Sequence, residues 1–231
     1  FRRYHEANRD RSGINLLVGL SPLKNFDLTA SYMWGEDEYP KSDYGLKKSG
    51  LSIYSLDLSY ALSPRAALYG FYSQEEYKGD QASRQSGAVF SISTLNDWTA
   101  SLKDRIETFG GGLNVDLKKD KFNIDLSYTY SSAEGTSSLD SPPGGTPNVA
   151  KDFTKKIDTT TLQAIKAKFL WKLSSNYSVA FGYWYEQYEL EDITRNDWKV
   201  DMLTAGQAIY LGALEPGYKY HVGFVKFIYA W

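Results

Sequence analysis

From about residue 12 the chain alternates apolar and polar positions with a period of two, and the alternating segments are joined by connections that are by turns short and long. In Phe122-Asn123-Ile124-Asp125-Leu126-Ser127-Tyr128-Thr129-Tyr130, the residues Phe122, Ile124, Leu126, Tyr128 and Tyr130 share one face. Asn123, Asp125, Ser127 and Thr129 share the other. A strand reads this way when one side meets lipid and the other meets water.

The periodicity predicts about nine strands. The first covers residues 12–20, with Ile14, Leu16, Val18 and Leu20 in step and an extension back through residues 4–11. The second, 26–37, aligns Phe26, Leu28, Ala30, Tyr32 and Trp34, and the third aligns Tyr54, Leu56, Leu58, Tyr60 and Leu62. The fourth, 66–77, is the least regular. The fifth, 102–117, sets Phe109, Leu113, Val115 and Leu117 against Thr108, Asn114 and Asp116, and the sixth is the segment quoted above. In the seventh, 159–173, Ile165, Ala167, Phe169, Trp171 and Leu173 oppose Lys166, Lys168 and Lys172. Each lysine on a lipid face costs roughly 2–4 kcal/mol at the bilayer midplane, so these three are expected to point inward. The eighth carries Tyr177, Val179, Phe181, Tyr183 and Tyr185, and the ninth, 219–231, ends on Val225, Phe227, Tyr229 and Trp231.

Long loops are expected near 38–49, 78–101, 133–158 and 191–217, and short turns near 21, 63, 118 and 174, as external loops differ from periplasmic turns. Ala88 to Ser93 could form a small loop hairpin, and the Ser-, Gly- and Pro-rich stretch 131–158 lacks the apolar surface to order itself strongly. Aromatics gather at the strand ends: Tyr60, Phe122, Trp171, Tyr177, Tyr229 and Trp231 beside short turns, Trp34, Tyr130 and Tyr185 beside long loops. Leu28, Leu56, Leu126 and Val179 lie between these two girdles. The expected fold is all-β: a transmembrane antiparallel up-and-down β-barrel in the outer membrane of a Gram-negative bacterium, with residues 1–231 forming one barrel segment. A soluble β-sandwich is the alternative, but its strands are usually about 5–6 residues long and carry no paired girdles.

Strand parity adds to this. Counted back from a periplasmic C-terminus, the first strand descends and leaves an odd number, whereas bacterial single-chain barrels are normally even. At least one strand before Phe1 is therefore expected, and the start Phe1-Arg2-Arg3, without initiator Met or export signal, suggests processing or a longer chain.

Composition fits a barrel rather than a helical membrane protein. Mean hydropathy is −0.46, and no apolar run reaches the roughly 18 residues that a spanning helix needs. Aromatics make up 16% of residues, with 19 Tyr against 11 Phe and 6 Trp, an excess suited to headgroup depth. The 231 residues contain no cysteine, which excludes disulfides, thiolate metal sites and Cys-x-x-Cys-His haem attachment in this chain. A formal charge of −2 argues against nucleic acid as a partner.

Catalytic chemistry is sparse. The two histidines are His5 and His221, and outer-membrane hydrolases need a His paired with Asp, Asn or Ser at the external rim. His221 could reach Asp197 or Asp201, but a hydrogen-bonded structural His is the preferred reading, so no catalytic residue is assigned. Glu36-Asp37-Glu38 and Glu189-Leu190-Glu191-Asp192 could offer oxygens to Ca²⁺, yet solvated rim charges explain them as well, and no metal or cofactor site is assigned. Gly110, Gly111 and Gly112 lack the strand-then-helix context of a phosphate loop and are expected to mark a bend or a close backbone approach, with space for an inserted element. The residues assigned to the lumen face are Asp57, Asp116, Asp125, Lys166, Lys168, Lys172 and Glu186, a mixed-sign set suited to a wet channel or to polar contact with an inserted protein.

Asn96-Asp97-Trp98-Thr99, then Leu102-Lys103-Asp104-Arg105-Ile106-Glu107-Thr108-Phe109-Gly110-Gly111-Gly112-Leu113, resembles a segment of the MtrB/PioB family of decahaem-associated outer-membrane proteins. So do Gly182-Tyr183-Trp184-Tyr185-Glu186-Gln187-Tyr188, Asp197-Trp198, Asp201 and His221-Val222-Gly223, with a weaker match at Arg3-Tyr4 and Ala7-Asn8-Arg9-Asp10-Arg11. The resemblance implies the C-terminal portion of a very wide barrel that sheathes a periplasmic multihaem c-type cytochrome, with a second multihaem cytochrome docked outside. It implies an electron conduit across the outer membrane in which the partner carries the haem and the barrel is not an enzyme. On that resemblance, the lysine row would steer or seat the cytochrome through its anionic haem propionates. The readings that compete with it are a general diffusion porin for small solutes and, third, an outer-membrane hydrolase.

Overall fold

The computed structural model describes residues 8–41, 43–86, 91–118, 121–143, 153–192 and 217–230, with side chains described throughout except at 153–155 and 192. Nine strands follow one another: β1 (Asp10–Leu23), β2 (Phe26–Glu38), β3 (Gly45–Ser63), β4 (Ala66–Arg84), β5 (Asp97–Lys118), β6 (Phe122–Asp140), β7 (Phe153–Lys172), β8 (Tyr177–Asp192) and β9 (Tyr218–Tyr229). Each pairs antiparallel with the next, so the sheet order is the chain order. Among the described residues β1 and β9 do not pair, and the sheet is open.

The register carries one apolar face across all nine strands, because directly paired residues project to the same side. One row runs Leu20, Leu28, Leu58, Gly70, Gly111, Tyr128, Ile165, Tyr185 and His221. Among the described residues no second layer packs over this face: Phe227 is 80% exposed, Phe181 is exposed, and the buried hydrophobics are Ala100, Val179 and Ala180. The chain exposes 16584 Å², whereas a compact soluble protein of 26.1 kDa would expose about 10,500 Å². A sandwich buries such a face against a second sheet; here there is one sheet, with strands of 12 to 22 residues. Lipid is the solvent that satisfies it.

Aromatic rows border the apolar face. Beside the short turns, Phe26 packs on Tyr60 with ring centroids 6.3 Å apart, Phe122 on Trp171 at 6.0 Å and Tyr177 on Tyr229 at 5.1 Å. Toward the other rim lie Trp34, the Tyr32–Tyr54 pair at 4.8 Å, the Phe109–Tyr130 pair at 5.2 Å, and Tyr185 against His221 at 4.9 Å. Trp231 lies outside the described residues. The nine residues from Phe122 to Tyr130 span about 26 Å of strand, or about 20 Å of membrane depth at a usual barrel tilt.

Above the upper aromatic row the strands continue, which corrects the expected loops. Residues 45–49 belong to β3, β4 runs to Arg84, β5 begins at Asp97, β6 runs to Asp140 and β7 begins at Phe153. Where Ala88 to Ser93 was expected to form a hairpin, 91–93 lead into a single 3-10 turn, Thr94–Asn96, while 88–90 lie outside the described residues. The early extension through 4–11 shortens to a strand start at Asp10, with 1–7 outside the described residues. Composition misleads here because an isolated Ser-rich segment must bury apolar surface to order, whereas β6 finds a hydrogen-bonded ladder on each side from Ser131 to Leu139. Strand lengths are thereby set by neighbours, and the connections shrink to 39–44, 85–96, 141–152 and 193–217. They remain longer than those at 24–25, 64–65, 119–121 and 173–176, so the two rims stay unlike.

Candidate functional site

The polar face is where recognition chemistry can reside. In the register the seven residues expected to face the lumen share one side of the sheet: Asp57 is paired with Thr29 and Phe71, Asp116 with Asn123, Asp125 with Asn114 and Lys168, Lys166 with Ser127 and Trp184, Lys172 with Ser178, and Glu186 with Ala164 and Tyr220. They do not form one cluster. Asp116 and Asp125 belong to an amide ladder in which Asn123 Nδ2 donates to Asp116 Oδ1 at 2.9 Å and to Asn114 Oδ1 at 3.0 Å, and Asn114 Nδ2 donates to Asp125 Oδ2 at 3.0 Å. Asp57 stands apart, three strands away from that ladder's β6 members.

The face divides into two kinds of wall. On β2 to β6, Ser31, Ser55, Ser73, Thr108 and Ser131 are register partners in one row, with Ser31 and Ser55 hydroxyls 2.6 Å apart and Thr108 and Ser131 hydroxyls 2.9 Å apart. On β7 to β9 the wall is aromatic and cationic. Lys166 Nζ sits 4.5 Å from the Trp184 ring centroid, Trp184 meets Tyr220 edge-on at 5.3 Å, and Tyr220, Tyr218 and Tyr188 stack at 5.6 and 5.4 Å. Tyr218 donates to Glu186 at 2.8 Å, which takes that carboxylate into the aromatic cluster.

Sequence reasoning missed Lys226. It lies on the polar face, paired with Ala180. Its signal was hidden because β9 is apolar on both sides: Val225 and Phe227 on one, Val222, Phe224 and Ile228 on the other.

The triple glycine is not a bulge, since the register of β5 with both neighbours is unbroken from Gly110 to Gly112, and neighbouring backbone does approach it closely: a Cβ on Gly111 would stand 2.8 Å from the Tyr69 carbonyl oxygen and one on Gly110 2.7 Å from that of Tyr128. Nor does it leave free space. A Cβ on Gly110 would stand 2.7 Å from the Phe71 ring, and one on Gly112 would stand 2.4 Å from the Tyr69 ring, so rings of the same wall fill the gap.

His221 belongs to the apolar face. Its Nδ1 is 2.7 Å from the Tyr183 hydroxyl and its ring packs against Tyr183 and Tyr185, so it is a girdle residue held by hydrogen bonding. Asp197 and Asp201 lie outside the described residues. Glu36 and Asp37 are taken by Lys48 at 2.9 Å and Arg11 at 2.7 Å. Among the described residues no group of three or more metal-type side chains converges.

A long-stranded sheet with one lipid-facing apolar surface between aromatic rows defines an outer-membrane β-barrel protein, and solved structures agree on the fold. The copper transporter OprC superposes with a TM-score of 0.68 over 95% of this chain and 33% of that one, at 10% identity. BauA, the ferric preacinetobactin receptor from Acinetobacter baumannii, gives 0.53 over 94% and 37% at 9% identity, and the open form of the ferric-catecholate import receptor Fiu from E. coli K12 gives 0.54 over 96% and 43% at 11% identity.

Within that class, the chain belongs to the outer membrane beta-barrel porin family MtrB/PioB, whose model matches residues 1–231. It is 26% identical over 139 residues to the outer membrane protein MtrB of Shewanella baltica (strain OS185), a match covering 60% of this chain and 19% of that protein. These relatives and fold neighbours are named as porin, outer membrane protein, transporter and receptor.

Proposed function

We propose that this chain is wall material of a porin-like sheath that encloses a multihaem c-type cytochrome and so supports electron transfer across the outer membrane. The observation that carries the reading is the family match along the whole of residues 1–231. The polar face supports it, with small hydroxyl residues on β2 to β6 and exposed lysines on β7 and β9 that could meet an inserted acidic protein. The sheath's contribution is mechanical and dielectric: it holds the redox partner across the bilayer and keeps lipid away from it. Haem belongs to the partner, since a chain without cysteine offers no thioether attachment. A second multihaem cytochrome would dock at the external rim, where the strands rise beyond the upper aromatic row. No catalytic step is assigned to the chain.

The mixed charges of the polar face favour one competing reading, a diffusion porin for small solutes. Purification of the full-length protein from its native outer membrane separates the two. A haem absorbance band that co-elutes with the barrel in detergent is expected, whereas a colourless barrel that conducts ions in planar bilayers would overturn the sheath.

A further inference from the structure

Lys168 and Lys172 on β7 and Lys226 on β9 lie on the polar face, on either side of β8. Directly between them lie Ser178, Ala180 and Gly182: Lys172 is paired with Ser178, Ala180 separates Leu170 from Lys226, and Gly182 separates Lys168 from Phe224. Ala180 is fully buried and the Phe224 ring fills the space over Gly182, so side chains of the same wall cover this part of β8. Two interstrand spacings set a width of about 10 Å between the lysine rows.

The three lysines are exposed, and among the described residues none has a carboxylate oxygen within 4.0 Å. Asp125, the register partner of Lys168, is engaged by Asn114. Above the lipid-facing band on the opposite face, Lys48, Lys78, Lys103, Arg105 and Lys156 each meet a glutamate, at 2.9, 2.6, 2.7, 2.5 and 2.8 Å. Lys168, Lys172 and Lys226 repel one another without internal compensation, which leaves them available to anions from outside the chain.

We infer that the polar face of β7 to β9 is the docking seat for an acidic segment of the enclosed cytochrome, with Asp and Glu carboxylates against Lys168, Lys172 and Lys226, and that the hydroxyl wall of β2 to β6 stands away from the partner across water. This rests on the sheath reading and assigns the side of the wall that carries the contact. Lys166 lies outside the seat because Trp184 already holds it.

The test uses the full-length protein co-expressed with its cytochrome and carrying a photo-crosslinking phenylalanine analogue in place of Ser178 or, separately, of Ser55. Assembly is checked by heat-modifiable gel migration. A haem-staining adduct is expected from position 178 and not from position 55. Lys226→Glu should reduce it about fivefold or more at low salt, Lys226→Gln should reduce it less, and Lys103→Glu on the opposite face should leave it unchanged. Equal adducts from both positions, an adduct indifferent to Lys226→Glu, or equal loss with Lys103→Glu would each overturn the seat while co-purifying haem kept the sheath intact. A barrel that never co-purifies with haem protein would overturn both.

Discussion

Arg84 and Asp97 are register partners at the outer ends of β4 and β5 and are joined by a two-pronged ion pair, with Nε on Oδ1 and Nη2 on Oδ2 at 2.9 Å. Tyr44 from the β2–β3 connection closes over the pair, its ring centroid 5.4 Å from the guanidinium carbon. The arrangement stands 12 residues beyond Tyr72, or about 40 Å along the strand, well outside the lipid-facing band. It gives a structural role to Asp97 in the phrase Asn96-Asp97-Trp98-Thr99, for which the sequence suggested none. The pair clamps the mouth of the 85–96 connection.

The hydrogen bond from Arg84 is the main reason the Asp97 carboxyl is held below its ordinary value of 3.8. A depressed folded value means that the clamp contributes fully above the unfolded value and weakens as pH falls through the folded one. Trp98 fluorescence should therefore stay constant from neutrality down to about pH 4 and change below it. Asp97→Asn should show the altered signal already at pH 7; a variant identical to the parent at every pH would remove the clamp.

The two faces of β6 give opposite responses to charge. Leu126→Lys puts an ammonium on the lipid side and should destabilise the folded barrel by about 2–4 kcal/mol. Ser127→Lys, one residue on, should cost well under 1 kcal/mol because it enters water. Denaturant titration of the protein refolded into vesicles measures both, and equal costs would contradict the assigned faces.

Gly182 and Phe224 are coupled through space. The three atoms nearest a Cβ at 182 all belong to the Phe224 ring, so Gly182→Ala should destabilise by about 1–3 kcal/mol, and Phe224→Ala should relieve most of that penalty. Gly112 differs, since its Cβ would also stand 2.5 Å from the Leu126 carbonyl oxygen. Tyr69→Ala should consequently fail to rescue Gly112→Ala. Thermal melting of the four single variants and two doubles distinguishes the cases.

Charge reversal across β7 tests the proposed function rather than the fold. Lys166, Lys168 and Lys172 changed together to Glu should leave heat-modifiable folding intact and lower the haem protein retained per barrel. The loss should deepen as salt is reduced, because like-charge repulsion is then least screened. Unchanged retention at all salt concentrations would speak against an acidic partner on this wall.

Alternation made much of this architecture readable, and particular elements show where it stopped. The residues Phe122 to Tyr130 announced β6 because one side had to be greasy and the other wet, and the same rule put Lys166, Lys168 and Lys172 on the polar face. That rule lost Lys226, since a strand that is apolar on both sides has no alternation to read. It also lost β6 beyond Ser131, where neither side is apolar and pairing alone keeps the strand extended.

By itself, then, the order of amino acids determined which face each strand offers to lipid and which rim carries the short turns, because transfer of side chains between water and hydrocarbon is a local property of each residue. Only the tertiary structure decided how far the strands rise above the membrane and which cations go unpaired. It also decided what fills the space over Gly110 and Gly112. Those depend on hydrogen-bond ladders and ring contacts between segments far apart in sequence, which become definite only when the strands are set in register.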